Sequence, residues 1–148
     1  GGGGGGGTPY TYTGIPGGHS ASEIESTGGC VFNLAGSRPK DKETAQLNES
    51  IFQFLKSTCA AAKADGKRLS ISALTGCNGT NACSGHSPRS YHYRGCAVDF
   101  GDNPSSPNGR FIAVKGGALS GGRVNPGSDE NQDNHMHVDL GSGCREAQ

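Results

Sequence analysis

Six cysteines, Cys30, Cys59, Cys77, Cys83, Cys96 and Cys144, place the strongest constraint on how this chain folds. They form an even set without a Cys-x-x-Cys pair, which favours disulfides over a structural zinc knuckle or a redox motif. Three bridges are expected, and spacing leaves most of the pairing open. The exception is local: Cys77 and Cys83 flank Asn-Gly-Thr-Asn-Ala, a turn-forming stretch that lets them pair with each other. A chain held this way suits an oxidising compartment, whether periplasm, cell surface or medium. The alternative is a set of buried free thiols in a cytosolic protein.

The rest of the composition explains why such staples are needed. With 27 glycines, 31% hydrophobic residues and no tryptophan, the core is thin and the fold rich in loops. A length of 148 residues suits one domain. Thirteen basic and thirteen acidic side chains give a formal charge of zero and no dense cationic stripe, so nucleic acid is not an expected partner. No apolar run approaches the roughly 20 residues needed to span a bilayer. The start of the chain also lacks the charged and apolar regions of a signal peptide, so an export address would have been removed or would lie upstream.

Residues 1–7 are an unbroken glycine run, which reads as a flexible linker or as an expression scar. As a linker, it would tether the domain to a larger protein or assembly. Residues 8–40, rich in Gly, Ser, Thr and Pro, read as an irregular N-terminal arm pinned by Cys30, and 41–148 as the functional domain, with 8–148 forming one folded unit. A helix is expected over 41–65, where Leu47, Ile51, Phe54, Leu55, Thr58 and Cys59 recur at helical spacing and Gly66 supplies a stop. Leu69, Ile71 and Ala73 alternate with polar residues as in a half-buried strand. Further strands are expected at 96–100, 110–115 and 135–140. The pattern is α+β, a small, mainly antiparallel sheet with flanking helices, stabilised by disulfides.

Two stretches carry chemistry. Ser90–Phe100 reads SYHYRGCAVDF, and Asp133–Leu140 reads DNHMHVDL. Alternate side chains of a strand share a face, so His135 and His137 point one way while Met136 and Val138 point into the core. On the earlier strand Asp99 stands opposite Val98. If the two strands are neighbours with those faces aligned, Asp99 approaches His137, and His92 arrives from the loop before Gly95. Two imidazoles and one carboxylate suit Zn²⁺, and three protein ligands rather than four leave a position open for catalysis. The reaction class this implies is metal-assisted amide hydrolysis. Either motif alone is weak, since a lone His-x-His is often a half-exposed strand pair; the two together are far more specific.

The string Ser-x-His-x-x-Gly-x-Ala-x-Asp, met here by Ser90, His92, Gly95, Ala97 and Asp99, resembles the D-alanyl-D-alanine peptidases of the LAS group, which also takes in lysostaphin-type peptidases and the hedgehog zinc domain. The ending DNHMHVDL is similar to the second half of the same signature. The resemblance covers mainly 67–140 and implies a hedgehog-like or D,D-peptidase-like fold, with His92, Asp99 and His137 as zinc ligands. It further implies a secreted peptidase, either a D-Ala-D-Ala carboxypeptidase or a D,D-endopeptidase, acting on the stem peptides of bacterial peptidoglycan.

Two departures from that pattern matter. Many relatives place an acidic general base three residues before the last ligand, where this chain has Asn134. The base must then come from His135, as in the penicillin-insensitive murein endopeptidases, or from Asp133, with Glu130 and Asp129 as further candidates. Relatives also carry an arginine in a Ser-Gly-Tyr-Arg pattern, replaced here by SALTGCNG. Arg89 is then the candidate to grip an oxyanion or a substrate carboxylate, ahead of His86 and Tyr91. A non-catalytic zinc-binding domain, and a metal-free adhesin or toxin, remain as other readings. Asp139 reads as a solvated strand end or a partner of the histidines, His19 as a loop residue, and Tyr10, Tyr12 and Phe32 as cover for the sheet.

Overall fold

The computed structural model describes residues 10–11, 18–34, 39–79, 82–83, 90–129, 132–142 and 144, giving the backbone alone at 10–11, 82, 126–129 and 132–134. In chain order the elements are β1 (Tyr10–Thr11), a 3₁₀ helix (Ser22–Thr27), β2 (Cys30–Phe32), α1 (Asp41–Thr44), α2 (Glu49–Ala64), β3 (Leu69–Ala73), β4 (Ala82–Cys83), a 3₁₀ helix (Tyr91–Arg94), β5 (Ala97–Phe100), α3 (Pro107–Gly117), β6 (Arg123–Asp129) and β7 (Gln132–Asp139).

A mixed sheet of five strands runs β2-β3-β5-β7-β6. β2 and β3 are parallel and the other neighbours antiparallel. β1 and β4 form a separate antiparallel pair. Ile71, Val98, Phe100, Met136 and Val138 share one core with Ile51, Phe54, Leu55 and Ile112 from the helices. Phe54 of α2 meets Phe100 edge-on at 6.4 Å. Gly116 of α3 lies so close to the sheet that a Cβ there would stand 2.5 Å from Val124 Cγ2, which is why the helix needs glycine at that contact. Both long helices therefore cover one face of the sheet, and Asp99, His135, His137 and Asp139 stand on the other.

The expected α+β class and disulfide framework are present, with three corrections to the elements. The helix expected over 41–65 is broken: Leu47 pairs with His19 through reciprocal backbone hydrogen bonds of 2.8 and 2.9 Å. α2 then restarts at Asn48, whose side chain caps Ser50 N at 2.8 Å. Residues 110–115, expected as a strand, lie in α3. Ser106 accepts from Gly109 N at 3.0 Å and Pro107 sits in the first turn, a cap that outweighs the β preference of Phe111, Ile112 and Val114 behind it. The N-terminal arm is not irregular throughout, because Cys30–Phe32 joins the main sheet, and Phe32 is part of that sheet rather than its cover. Tyr12 lies outside the described residues, as do residues 1–7.

All three bridges form: Cys30 with Cys59, Cys77 with Cys83, and Cys96 with Cys144. The local Cys77–Cys83 pairing is the one expected from the turn between them. No described helix is long and apolar enough to cross a membrane.

A buried carboxylate organises the loop that leads into the functional face. Asp41, 1% exposed, accepts from Thr75 Oγ1 at 2.8 Å, Gly76 N at 2.9 Å and Asn78 N at 3.2 Å. Removing the acceptor strands these buried donors, so Asp41→Ala is expected to cost about 2–3 kcal/mol of stability. Urea denaturation checks this, and an unchanged midpoint would refute it.

Candidate metal centre

β5 and β7 are neighbours, and the register sets Asp99 directly opposite His137. Directly opposed residues of an antiparallel pair share a face, so the alignment expected from the two motifs is the one formed. His92 comes from the 3₁₀ helix Tyr91–Arg94. Ser90 Oγ caps that turn by accepting from His92 N at 3.1 Å, and Gly95, at φ 68, closes it. The Gly95 carbonyl accepts from Asn48 N at 2.9 Å, tying the turn to the start of α2.

His92, Asp99 and His137 each offer a ligand atom, and these atoms lie within 4.8 Å of one another. Asp99 is the hub. Its Oδ1 stands 2.8 Å from His137 Nδ1 and 3.2 Å from His92 Nε2, and its Oδ2 stands 3.8 Å from His135 Nε2. His92 is fully buried and Asp99 nearly so.

Each imidazole is aimed by a contact on its far side. His92 Nδ1 is 2.7 Å from the Leu74 carbonyl, an acceptor only, so Nδ1 carries the hydrogen and Nε2 faces Asp99. His137 Nε2 is 2.8 Å from Asp139 Oδ2. Asp139 in turn accepts from Arg123 Nε at 2.8 Å, Arg123 Nη2 at 3.2 Å and Gly141 N at 2.7 Å. Asp139 is 2% exposed, so it is no solvated strand end. A histidine ligand held from behind by a carbonyl or carboxylate is the usual supporting arrangement around a metal. Two imidazole nitrogens and a carboxylate oxygen converging with their far sides fixed match the donor set of a three-ligand zinc site.

The electrostatics agree with that fit. In the absence of a cation both ring nitrogens of His137 face carboxylate oxygens, which only accept, so the ring is an imidazolium. Burial pushes its pKa down, but hydrogen bonds to Asp139 and Asp99 and their charges outweigh this and raise it from 6.5 to about 9. For Asp99 burial acts upward, and the charge of His92 with hydrogen bonds from both rings holds the carboxyl well below its ordinary value. Asp139, raised by burial, is drawn down from 3.8 to about 2 by hydrogen bonds from His137, Arg123 and the Gly141 amide.

The sign of the linkage follows. Stabilisation of the metal-free fold by His137 is complete below pH 6.5 and fades as pH rises through about 9. Stabilisation by Asp139 is complete above pH 3.8 and fades as pH falls through about 2. A cation taking His137 Nδ1 displaces the proton there, so zinc uptake at neutral pH is expected to release about one proton from this ring and to weaken as pH falls. Calorimetry in buffers of different ionisation enthalpy counts that proton, and zinc binding with no release would contradict the assignment.

His135 lies on the same face, 15% exposed, beside Asp99. Asp133 and Asn134 belong to β7 and Asp129 ends β6, described there by backbone alone. Arg89, His86 and Glu130 lie outside the described residues. His19, read as a loop residue, stacks on Phe52 at 4.3 Å and contacts Glu49 at 3.1 Å, away from the metal centre. Sequence reasoning missed the Leu74 carbonyl and Arg123. The first is a backbone atom and has no residue signature. The second sits on β6, whose Arg-Val-Asn-Pro-Gly-Ser-Asp reads as a loop and is tolerated in the sheet because β6 is an edge strand. Against family models, curated proteins and solved structures the chain shows no match.

Proposed function

We propose that this protein is a secreted zinc metallopeptidase that hydrolyses peptide bonds in bacterial cell-wall peptidoglycan, of the D-Ala-D-Ala carboxypeptidase or D,D-endopeptidase type, on a hedgehog-like fold. The observation that carries the reading is the convergence of His92, Asp99 and His137 within 4.8 Å, on the side of the sheet away from α2 and α3. Three disulfides are consistent with work outside the cytoplasm. The glycine run would tether the domain to a larger protein or assembly.

In this reading His92 Nε2, Asp99 and His137 Nδ1 hold the ion. When bound, zinc supplies Lewis acidity, acidifying water and polarising a peptide carbonyl. His135, on the same face, takes a proton from the attacking water and delivers it to the departing amine. Asp139 keeps the hydrogen of His137 Nε2 and so holds that ring in one tautomer. Asp133 and Arg89 remain candidates for the base and for the grip on the oxyanion or substrate carboxylate.

Digestion of purified peptidoglycan, with fragments weighed by mass spectrometry with and without chelator, tests the reading. New ends that appear only without chelator are expected, and intact muropeptides with stoichiometric zinc would sink it. His135→Ala is expected to keep the metal and lose turnover by about 100-fold or more; retained turnover would move the base to Asp133 or Glu130. Asn134, where many relatives carry an acid, favours one second reading, a zinc domain that binds without cutting.

A further inference from the structure

Two Asn-Gly pairs occur in the chain, Asn78–Gly79 and Asn108–Gly109. Asparagine is a thermolabile residue, because the backbone nitrogen of the next residue can attack its side-chain amide carbon. Glycine in that next position has no Cβ and leaves the approach open. In a folded protein the reaction depends on how the attacking nitrogen, the carbonyl oxygen and the departing amide are held. The fold holds the two pairs in opposite ways.

At Asn108 the reacting groups are tied down. Its Nδ2 donates to the Arg68 carbonyl at 2.9 Å and to Asp102 Oδ1 at 3.0 Å. The Gly109 N–H donates to Ser106 Oγ at 3.0 Å. Gly109 itself is buried in the first turn of α3, where a Cβ would lie 2.1 Å from the Asn103 carbonyl oxygen. Asn78 lies instead in a turn, and at φ 50 it is the one non-glycine residue with positive φ among the described residues. Gly79 is exposed, and the nearest atom to a Cβ there, Thr44 Cγ2, would be 3.6 Å away. Among the described residues no acceptor takes the Gly79 N–H or Asn78 Nδ2. What is held is Asn78 Oδ1, which accepts from Lys40 N at 2.7 Å. A backbone donor at that oxygen is placed to stabilise the negative charge that develops there when the amide carbon is attacked.

We propose that Asn78–Gly79 is a self-modification site, converted in the folded protein to aspartate or isoaspartate, that the product loosens the loop held by Asp41, and that Asn108–Gly109 is protected. Gly79 N gives up its proton to solvent base and forms a bond to Asn78 Cγ; the Cγ–Nδ2 bond breaks and ammonia leaves. Water then opens the five-membered imide at either carbonyl. One opening gives aspartate, and the other gives isoaspartate, with the main chain rerouted through the former side chain. Water is the only other reactant. Either product brings a new negative charge close to a buried one, because Asn78 N donates to Asp41 Oδ1 at 3.2 Å, and neighbouring carboxylates repel. Asp41 also holds Thr75 and Gly76, just after the Leu74 carbonyl that aims His92, so the strain falls on the loop behind the metal centre.

The test ages the purified protein at body temperature and mildly alkaline pH, then reduces it and digests it with trypsin. Cleavage after arginine places the two pairs in separate peptides, 69–89 and 95–110. A gain of one mass unit, located at residue 78 by fragmentation, is expected to accumulate about 10-fold or more faster than at Asn108, whose Nδ2 hydrogen bonds must first open. In protein reduced and unfolded in urea the two rates are expected to converge. The aged protein is expected to melt about 3 °C or more below fresh protein. Asn78→Gln, whose longer side chain closes the ring far more slowly, should age without that loss. Equal rates at the two pairs in the folded protein, or the same ratio folded and unfolded, would overturn the site. An unshifted melting point in fully converted protein would overturn the loosening.

Discussion

An Asp99→Ala protein is expected to lose stoichiometric zinc binding, and with it all chelator-sensitive peptidase activity. Asp99 is the one group that touches every other member of the cluster: His137 at 2.8 Å, His92 at 3.2 Å and His135 at 3.8 Å. Without it two imidazoles remain, with ring centroids 5.1 Å apart and no carboxylate among the ligands. Loss of a supporting contact behind a ligand typically costs about 10–100-fold in metal affinity, and loss of a ligand should exceed that range. Asp139→Asn is therefore expected to fall between Asp99→Ala and the wild type, since it leaves all three ligands in place and reaches them only through His137 Nε2. His92→Ala and His137→Ala should resemble Asp99→Ala. Thermal melts give a readout that needs no substrate. A ligand at 100 times its Kd stabilises a fold by about 2.7 kcal/mol, so zinc should raise the wild-type midpoint and leave that of Asp99→Ala unmoved. Undiminished zinc affinity in Asp99→Ala would remove the basis of the proposed chemistry.

What the chain disclosed in advance, and what it hid, divide along physical lines. The face shared by His135 and His137 was legible because strand alternation is strictly two-residue, and Asp99 followed from the same rule on β5. The same alternation placed Asp139 on that face. Its burial, however, depends on Arg123, whose strand was unreadable behind Asn-Pro-Gly-Ser. α3 was misread because Phe111, Ile112, Ala113 and Val114 form an apolar run with no clear period, and the deciding cap lies upstream at Ser106 and Pro107. The break before α2 comes from a long-range pairing between Leu47 and His19, which no local propensity encodes. Local chemistry also accounts for the one readable disulfide. Cys77 and Cys83 are separated by 6 residues across a turn, whereas the separations of 29 and 48 depend on how the sheet is assembled.

Those separations lead to the second large effect. Closing a loop removes more disorder from the unfolded chain as the loop grows, so opening Cys30–Cys59 or Cys96–Cys144 is expected to cost about 3.5–4 kcal/mol each, against about 2 kcal/mol for Cys77–Cys83. With a domain stability of only about 5–15 kcal/mol, losing both long bridges should leave the chain largely unfolded at body temperature. A Cys96→Ser/Cys144→Ser protein is expected to melt about 10 °C or more below the wild type. The bridges should also separate stability from function. Cys30–Cys59 ties β2 to α2, on the covered side of the sheet, so opening it should lower the melting point and leave the zinc affinity of the folded fraction intact. Cys77 lies in the loop that Asp41 holds, three residues after Leu74, whose carbonyl aims His92. Cys77→Ser/Cys83→Ser should therefore lose the least stability and yet weaken zinc binding, by about 10-fold if the aim of His92 is relaxed as other supporting contacts suggest. Denaturation and zinc titration on the three double variants decide the matter: zinc affinity that merely follows melting temperature would show that the loop gives His92 no orientation beyond the stability of the fold.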